Sequence, residues 1–176
     1  MRELLDKTRE YLNYVERHYN NVQKAWTELN IALNGKGNDI SLFLADDCNY
    51  FALDSKIKDH DKSKLSVEEF IQYRQYFYPT SNETKNKQQF NSAWENHLKE
   101  NDHHWQTWVY KHPDKSVFST MCLIENVCDW MSMGYEFGDT AQEYYEANKY
   151  KIQLPEWAVE DLYIIFKCLS NTFSAQ

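Results

Sequence analysis

The stretch YLNYVERHYNNVQKAWTELNIAL, residues 11–33, decides the fold class of this chain. Its apolar and aromatic positions recur at steps of three and four residues, with one histidine among them: Tyr11, Val15, His18, Val22, Trp26, Leu29 and Leu33. This spacing predicts a long amphipathic α-helix over Arg2 to Asn34, ended by Gly35 and Gly37. His18 lies on the face that turns inward, where it is either a core histidine with one hydrogen bond or a ligand.

Helical patterns continue through the rest of the chain. Further helices are predicted from Asn38 or Asp39 to His60-Asp61, from a capping box at Ser66 to Tyr78, from Gln89 to Glu100, from Pro113 to Met133, from Asp139-Thr140 onward, and after Pro155. The chain has only 4 Gly and 3 Pro and no sustained strand alternation, which argues against many tight turns and an all-β fold. We therefore expect one all-α domain over residues 1–176, an irregular bundle of six or seven helices.

The composition restricts the classes of partner. A net charge of -8 repels phosphate backbones, so extended nucleic-acid binding is not expected, although a locally basic pocket can still take a small anion. The N-terminal residues lack an apolar signal segment, and no run approaches membrane-spanning length. The 4 Cys include no CxxC pair and are interpreted as free thiols. We expect a cytoplasmic protein without membrane contact; the sequence does not indicate its oligomeric state.

Histidines gather around KDHDKSK, residues 58–64. All six, at positions 18, 60, 97, 103, 104 and 112, precede Pro113. The candidate metal ligands come from different predicted helices or helix ends: His18, His60, Asp61, His97, His103, His104 and Asp129. Imidazole with carboxylate suits Mn, Fe, Zn or Ni better than Ca, and we also consider Mg. One or two such ions clamp a phosphoryl group and activate a water molecule.

Some of these residues, and two lysines beside the motif, also have a structural interpretation. His103-His104 fits a surface loop of aromatic and polar residues, and Asp129 fits a buried partner for a basic side chain. Lys56 and Lys58 fit a solvated helix end, where lysine complements the helix dipole.

Two aromatic side chains are weak candidates for a different role. Trp105 and Trp108 follow the later histidines and offer faces on which a nucleobase can stack, although core packing is the stronger expectation for aromatic residues in general.

The order of these elements resembles the HD superfamily of metal-dependent phosphohydrolases. The core match is His60-Asp61-Lys62-Ser63-Lys64, and the wider match runs from Tyr11 to Asp129. The chain also looks like an uncharacterised phage and bacterial family with the same His-Asp-x-Ser-Lys element. The later segment of that family resembles residues 93–97 through 101–104 here.

The resemblance implies an HD-like helical domain and assigns roles to the candidate residues. His18, His60, Asp61 and Asp129 would be the main metal ligands, and His97 with His103 or His104 would serve a second ion. Lys64 would lie on the substrate phosphate. Beyond the resemblance, we take Asp61, Lys64 and His104 as candidate catalytic residues, and His104 or Glu125 as the group that relays a proton. Two departures stand against a simple transfer: His97 and His103 are only six residues apart, and Ser63 replaces the usual Gly.

Two functions follow as hypotheses. The first is a metal-dependent phosphohydrolase that acts on a nucleotide or another small phosphate ester. The alternative is a non-catalytic phage or bacterial binding protein with a structural metal site. Such a protein would sequester a nucleotide or inhibit a host protein, and its negative charge would suit a basic surface.

Overall fold

The structure is a computed structural model that describes residues 1–34, 50–111 and 118–173, without the side chains of residues 110 and 111. Helices account for all the regular structure in these ranges: α1 Arg2–Asn34, α2 Tyr50–Lys58, a 3-10 helix Lys62–Leu65, α3 Phe70–Phe77, α4 Lys87–Glu100, α5 Trp105–Lys111, α6 Thr120–Phe137, α7 Ala141–Asn148 and α8 Glu156–Phe173. The all-α fold class is confirmed, with eight α-helices in the described ranges.

The chain divides into two compact units. Unit 1 comprises Met1–Asn20 and Asp61–Asp102, and unit 2 comprises Asn21–His60 and His103–Gln176. The long helix α1 contributes its first part to unit 1 and its second part to unit 2. The expectation of a single domain stays a prediction.

Unit 1 has a small aromatic core. Its buried residues are Tyr11, Tyr73 and Ala93, with partly buried aromatic and aliphatic neighbours packed on them, among them Phe70 and Phe90. Helices α3 and α4 pack on each other, and both contact the 3-10 helix. This packing brings the turn after residue 60 close to α4.

Unit 2 has the larger core. It is built from the second part of α1 with α2, α5, α6 and α8, and its fully buried members include Leu29, Ile57, Leu123 and Leu162. Helix α6 is the central element, since it contacts α2, α7 and α8. Eleven residues of α6 are buried, and these include the polar residues Glu125, Asn126 and Ser132.

The predicted capping box at Ser66 is wrong. Helix α3 begins four residues later, at Phe70, and Glu69 caps no backbone group with its side chain. Glu69 instead has an exposed fraction of 0% and binds partners on α4. The pattern Ser-x-x-Glu matches a capping box by letter, but the carboxylate is used inside the protein.

Two other helix boundaries differ from the predictions. Helix α5 was not predicted as a separate helix. Helix α6 continues through Gly134 to Phe137, although the sequence predicted an end near Met133. Gly134 is needed at its place, because a Cβ atom there would lie 2.2 Å from the backbone oxygen of Asp139. The predicted helix starts at Asn38 or Asp39 and at Pro113 lie outside the described residues.

Within the described ranges, membrane-crossing helices are absent, because none combines the necessary length and apolarity.

Candidate functional site

The turn that carries Asp61 has a distinctive backbone. Asp61 has φ 55° and ψ 20°, in the left-handed region that side-chain-bearing residues seldom adopt, and it precedes the 3-10 helix. The Lys64 amide donates to the Asp61 carbonyl over 2.9 Å, and the Tyr11 hydroxyl donates to the Lys64 carbonyl over 3.0 Å. The first bond closes the turn and the second anchors it on α1. Such non-glycine conformations concentrate at functional sites.

The Asp61 carboxylate lies between two imidazoles and an ammonium group. Its Oδ2 is 3.2 Å from His18 Nε2 and 2.6 Å from Lys64 Nζ, and its Oδ1 is 3.3 Å from His97 Nε2. The carboxylate and both imidazoles are buried. We call Asp61, His18, His97, Lys64 and Glu69 the Asp61 cluster; all belong to unit 1.

Glu69 contacts the nitrogen of His97 that faces away from Asp61. Its Oε2 accepts from His97 Nδ1 over 3.0 Å, and its Oε1 accepts from the Asn96 side-chain amide over 2.9 Å. The Asn101 amide donates to the His97 carbonyl and to Ser63 Oγ, each over 2.8 Å. His97 therefore presents Nδ1 to Glu69 and Nε2 to Asp61. A histidine held in this way by a carboxylate on one nitrogen is typical of a metal ligand.

Unit 2 contains a second buried carboxylate of the same kind. Glu125 Oε1 lies 2.9 Å from His60 Nδ1 and 3.2 Å from His103 Nδ1, and Glu125 Oε2 lies 2.9 Å from Lys56 Nζ. The two imidazole rings are 4.5 Å apart between centroids. We call these four residues together with Asp129 the Glu125 cluster.

Asp129 stands on the other side of His60. Its Oδ1 is 3.7 Å from His60 Nε2. His103, His104 and Asp129 each offer a ligand atom within 4.8 Å of the others, and so do His60, His103 and Glu125. His104 is only partly buried, and its ring centroid is 4.1 Å from that of His103.

The charged groups of each cluster shift the pKa of a buried side chain: the pKa of His97 is raised, and the pKa of Glu125 is lowered. Burial alone would lower the pKa of His97, but the charge and hydrogen bonds of Asp61, together with the Glu69 bond, outweigh burial and raise this pKa above its usual value. Burial alone would raise the pKa of Glu125, but His103, His60 and Lys56 outweigh burial and hold this pKa well below its usual range. Glu125 is therefore an ionised, buried carboxylate.

The donor set of both clusters fits a divalent metal ion. Imidazole nitrogens and carboxylate oxygens face each other at distances of 2.9–3.7 Å inside the protein. Orienting carboxylates also hold the outer nitrogens of several of these imidazoles. Buried His, Asp and Glu groups are thus placed to hold a metal ion.

The matching family model covers residues 7–169 and is described as a family of unknown function, DUF5662. The chain belongs to the DUF5662 family. Neither a curated protein nor a solved structure matches it. Membership in DUF5662 therefore brings no reaction with it, and the function has to be argued from the geometry of the two clusters.

The structure distributes the predicted site residues of this DUF5662 chain over both units. Unit 1 brings together His18, Asp61, Lys64 and His97, and unit 2 brings together His60, His103, His104 and Asp129. Their roles as ligands or catalytic groups stay predictions. His112 lies outside the described residues.

Several alternatives from the sequence are wrong. His103 has an exposed fraction of 0%, so it does not belong to a surface loop. Lys56 pairs with the buried Glu125 and does more than complement a helix dipole. Trp108 is a buried core residue, in contact with Phe118, and offers no face to a nucleobase.

Sequence reasoning assigned Glu69 to a helix cap and gave Glu125 only a guessed proton-relay role. The sequence did contain an indication that Glu125 is buried. Glu125 lies in a predicted helix beside two residues of its apolar stripe, Ile124 one position before it and Cys128 three positions after it. For Glu69, the only sequence signal was the misleading capping pattern.

Proposed function

We propose that this protein is a metal-dependent phosphohydrolase that acts on a nucleotide or another small phosphate ester. The observation that carries the proposal is the Asp61 carboxylate, buried between two imidazoles and in contact with the ammonium group of Lys64. The same pocket of side chains thus combines metal-binding groups with a cation suited to a phosphate. The net charge of -8 favours a small ligand over an extended nucleic acid.

Two groups of residues would hold a divalent metal, which we take to be Mn, Fe, Zn, Ni or Mg, as one or two ions. In unit 1 they are His18, Asp61 and His97; in unit 2 they are His60, His103, His104 and Asp129. Such a metal supplies Lewis acidity and lowers the pKa of a bound water towards neutrality.

Lys64 is the proposed phosphate-binding residue. Its ammonium lies 2.6 Å from Asp61 Oδ2 and 5.6 Å from the centre of the Tyr14 ring, and its side chain is 13% exposed. Partial burial strengthens its attraction for an anion, because less water screens the charge. Lys64 would offset the charge that develops on the phosphoryl oxygens.

His104 is the proposed proton carrier. It is the more exposed of the two adjacent histidines, and it lies close to both His103 and Asp129. An imidazole at the edge of a buried site can exchange protons with solvent and with a reacting group.

The experiment combines metal analysis with activity assays on the purified protein. Turnover of p-nitrophenyl phosphate, bis-p-nitrophenyl phosphate and a panel of nucleotides is measured with added Mn, Ni or Co. We expect a metal-dependent hydrolysis of at least one of these esters, which Asp61→Asn abolishes. Asp6→Asn is the matched control, since the Asp6 side chain on α1 is 48% exposed and pairs with Arg9; this variant should keep full activity.

A folded, metal-loaded protein without turnover on any substrate would contradict the hydrolase. It would favour the alternative, a phage or bacterial binding protein that uses the metal for structure and sequesters a nucleotide or inhibits a host protein. Intact activity in Asp61→Asn would exclude Asp61 from the proposed mechanism.

A further inference from the structure

The two imidazoles of the Glu125 cluster are turned the same way. His60 and His103 both present Nδ1 to one atom, Oε1 of Glu125, at 2.9 and 3.2 Å. We propose that Glu125 is a positioning residue that holds both imidazoles in the tautomer with the proton on Nδ1, which leaves the Nε2 lone pair of each ring for a ligand.

The tautomer follows from the chemistry of the contact. A carboxylate that pairs with a lysine ammonium can only accept hydrogen bonds, so His60 Nδ1, which bonds to Oε1 over 2.9 Å, donates its proton, and His103 Nδ1 faces the same oxygen from 3.2 Å. One carboxylate oxygen has two lone pairs and can serve both rings. A neutral imidazole carries one N–H, so a proton fixed on Nδ1 makes Nε2 an acceptor and a metal ligand. For His60, this Nε2 is the atom that lies 3.7 Å from Asp129.

Lys56 explains why the two imidazoles share a single oxygen. Its ammonium lies 2.9 Å from Oε2, the other oxygen of Glu125, and its side chain is 23% exposed. The lysine offsets the carboxylate charge on the outer side. The inner oxygen is left to the rings of His60 and His103, both of which are buried.

Unit 1 contains the same arrangement of glutamate, imidazole and aspartate, with one imidazole in place of two. Glu69 Oε2 accepts from His97 Nδ1, and His97 Nε2 faces Asp61. In each unit a glutamate faces Nδ1 and an aspartate faces Nε2. This division of labour assigns orientation to the glutamates and ligand binding to the aspartates, as in carboxylate–histidine–metal triads.

This inference rests on the proposed function for the metal, but its first test does not need metal or substrate. Long-range 1H–15N spectra of metal-free protein at pH 8 report which ring nitrogen carries the proton. Single His60→Gln and His103→Gln variants assign the signals. We expect His60 and His103 to show the Nδ1-protonated tautomer in the wild-type protein.

Glu125→Gln tests the role of the carboxylate. A glutamine offers one acceptor oxygen and one amide that donates. The Lys56 ammonium requires the oxygen, so the amide faces the rings, which should lose the Nδ1-protonated signal. We also expect an affinity for Mn or Zn about 10–100-fold weaker, measured by calorimetry. Glu28→Gln is the matched control in unit 2: Glu28 accepts from the Tyr135 hydroxyl and should leave the imidazole signals unchanged.

Two results would overturn the inference. One is a wild-type spectrum in which His60 and His103 carry their proton on Nε2, and this result is decisive even if Glu125→Gln does not fold. The other is a folded Glu125→Gln protein with both tautomers unchanged. If the tautomers behave as expected and the protein still shows no hydrolysis, the positioning role stands and the proposed function fails.

Discussion

The Asp61 cluster and the Glu125 cluster contain the same kinds of group and differ in how these groups face each other. Each has a buried carboxylate in contact with two imidazoles and one lysine. Asp61 meets the Nε2 atoms of its imidazoles, whereas Glu125 meets Nδ1 atoms. Burial and charge alone therefore do not distinguish the two clusters. In our proposal, the ring nitrogen that faces the carboxylate separates a metal ligand from an orienting group.

The largest expected difference between the clusters is in stability. Glu125→Ala removes the acceptor of two buried imidazoles and the partner of Lys56, which should cost about 3–5 kcal/mol of the free energy of unfolding. Asp61→Ala should cost only about 1–3 kcal/mol, because His97 keeps its bond to Glu69. Urea unfolding of both variants without metal measures these values. An equal or larger loss in Asp61→Ala would contradict the distinction.

In catalysis, the Asp61 cluster should be the more sensitive of the two, and its lysine should matter more than the lysine of the Glu125 cluster. Lys64→Met removes the cation beside Asp61 and should lower kcat about 100-fold while metal remains bound, since a charge that stabilises the transition state is lost. Lys56→Met should reduce kcat of the metal-saturated enzyme much less, because Lys56 contacts Glu125, the proposed orienting carboxylate.

Lys58→Met provides the control for both lysine variants. Lys58 pairs with Asp54 at an exposed helix end and should show wild-type kcat. Steady-state kinetics together with metal content separates loss of metal from loss of catalysis. Equal losses in Lys64→Met and Lys56→Met would remove the functional distinction between the clusters.

The smallest expected loss of stability comes from a carboxylate in unit 1 that pairs with an arginine instead of an imidazole. It serves as a reference for the two histidine-containing clusters. Glu83 accepts from both terminal nitrogens of the buried Arg74 over 2.5 and 2.6 Å. The Arg74 bonds, with help from the Thr80 backbone N–H, lower the pKa of Glu83 from 4.5 to about 2. Glu83→Gln should cost about 1–2 kcal/mol at neutral pH.

The pH dependence of this loss follows from the direction of the shift. Because the folded-state pKa is lowered, the pair contributes fully above pH 4.5 and its contribution disappears as the pH falls towards 2. The stability difference between wild type and Glu83→Gln, measured by urea unfolding from pH 6 downward, should shrink below pH 4.5. A difference that stays constant down to the acid end of the series would show that Arg74 does not depress this pKa.

Local patterns were enough to predict most of the fold. The three-and-four spacing from Tyr11 to Leu33 predicted α1 with its observed ends, because a helix buries one face and the hydrophobic pattern records that face directly. The helix start at Asp139-Thr140 was also predicted, and the structure caps that helix with a short-range bond between Thr140 and Glu143.

The candidate site was predicted in its histidines, its aspartates and Lys64, whereas Glu69 was missed and Glu125 was given only a proton-relay role. Glu69 and Glu125 are glutamates in helical segments, and their use depends on partners 28 and 65 residues away in the chain. Local sequence does not record such partners. Lys56 was misinterpreted for the same reason, because its partner Glu125 lies on another helix. Buried charges require tertiary partners, so they are the features that a sequence pattern predicts least well.

The most direct test of the central claim, that these buried groups hold a divalent metal, is calorimetric titration of metal-free wild-type protein with Mn or Zn. We predict saturable binding of one or two ions per chain, a loss of binding in Asp61→Asn, and unchanged binding in Asp6→Asn. A folded wild-type protein that takes up no metal in this titration would contradict the account.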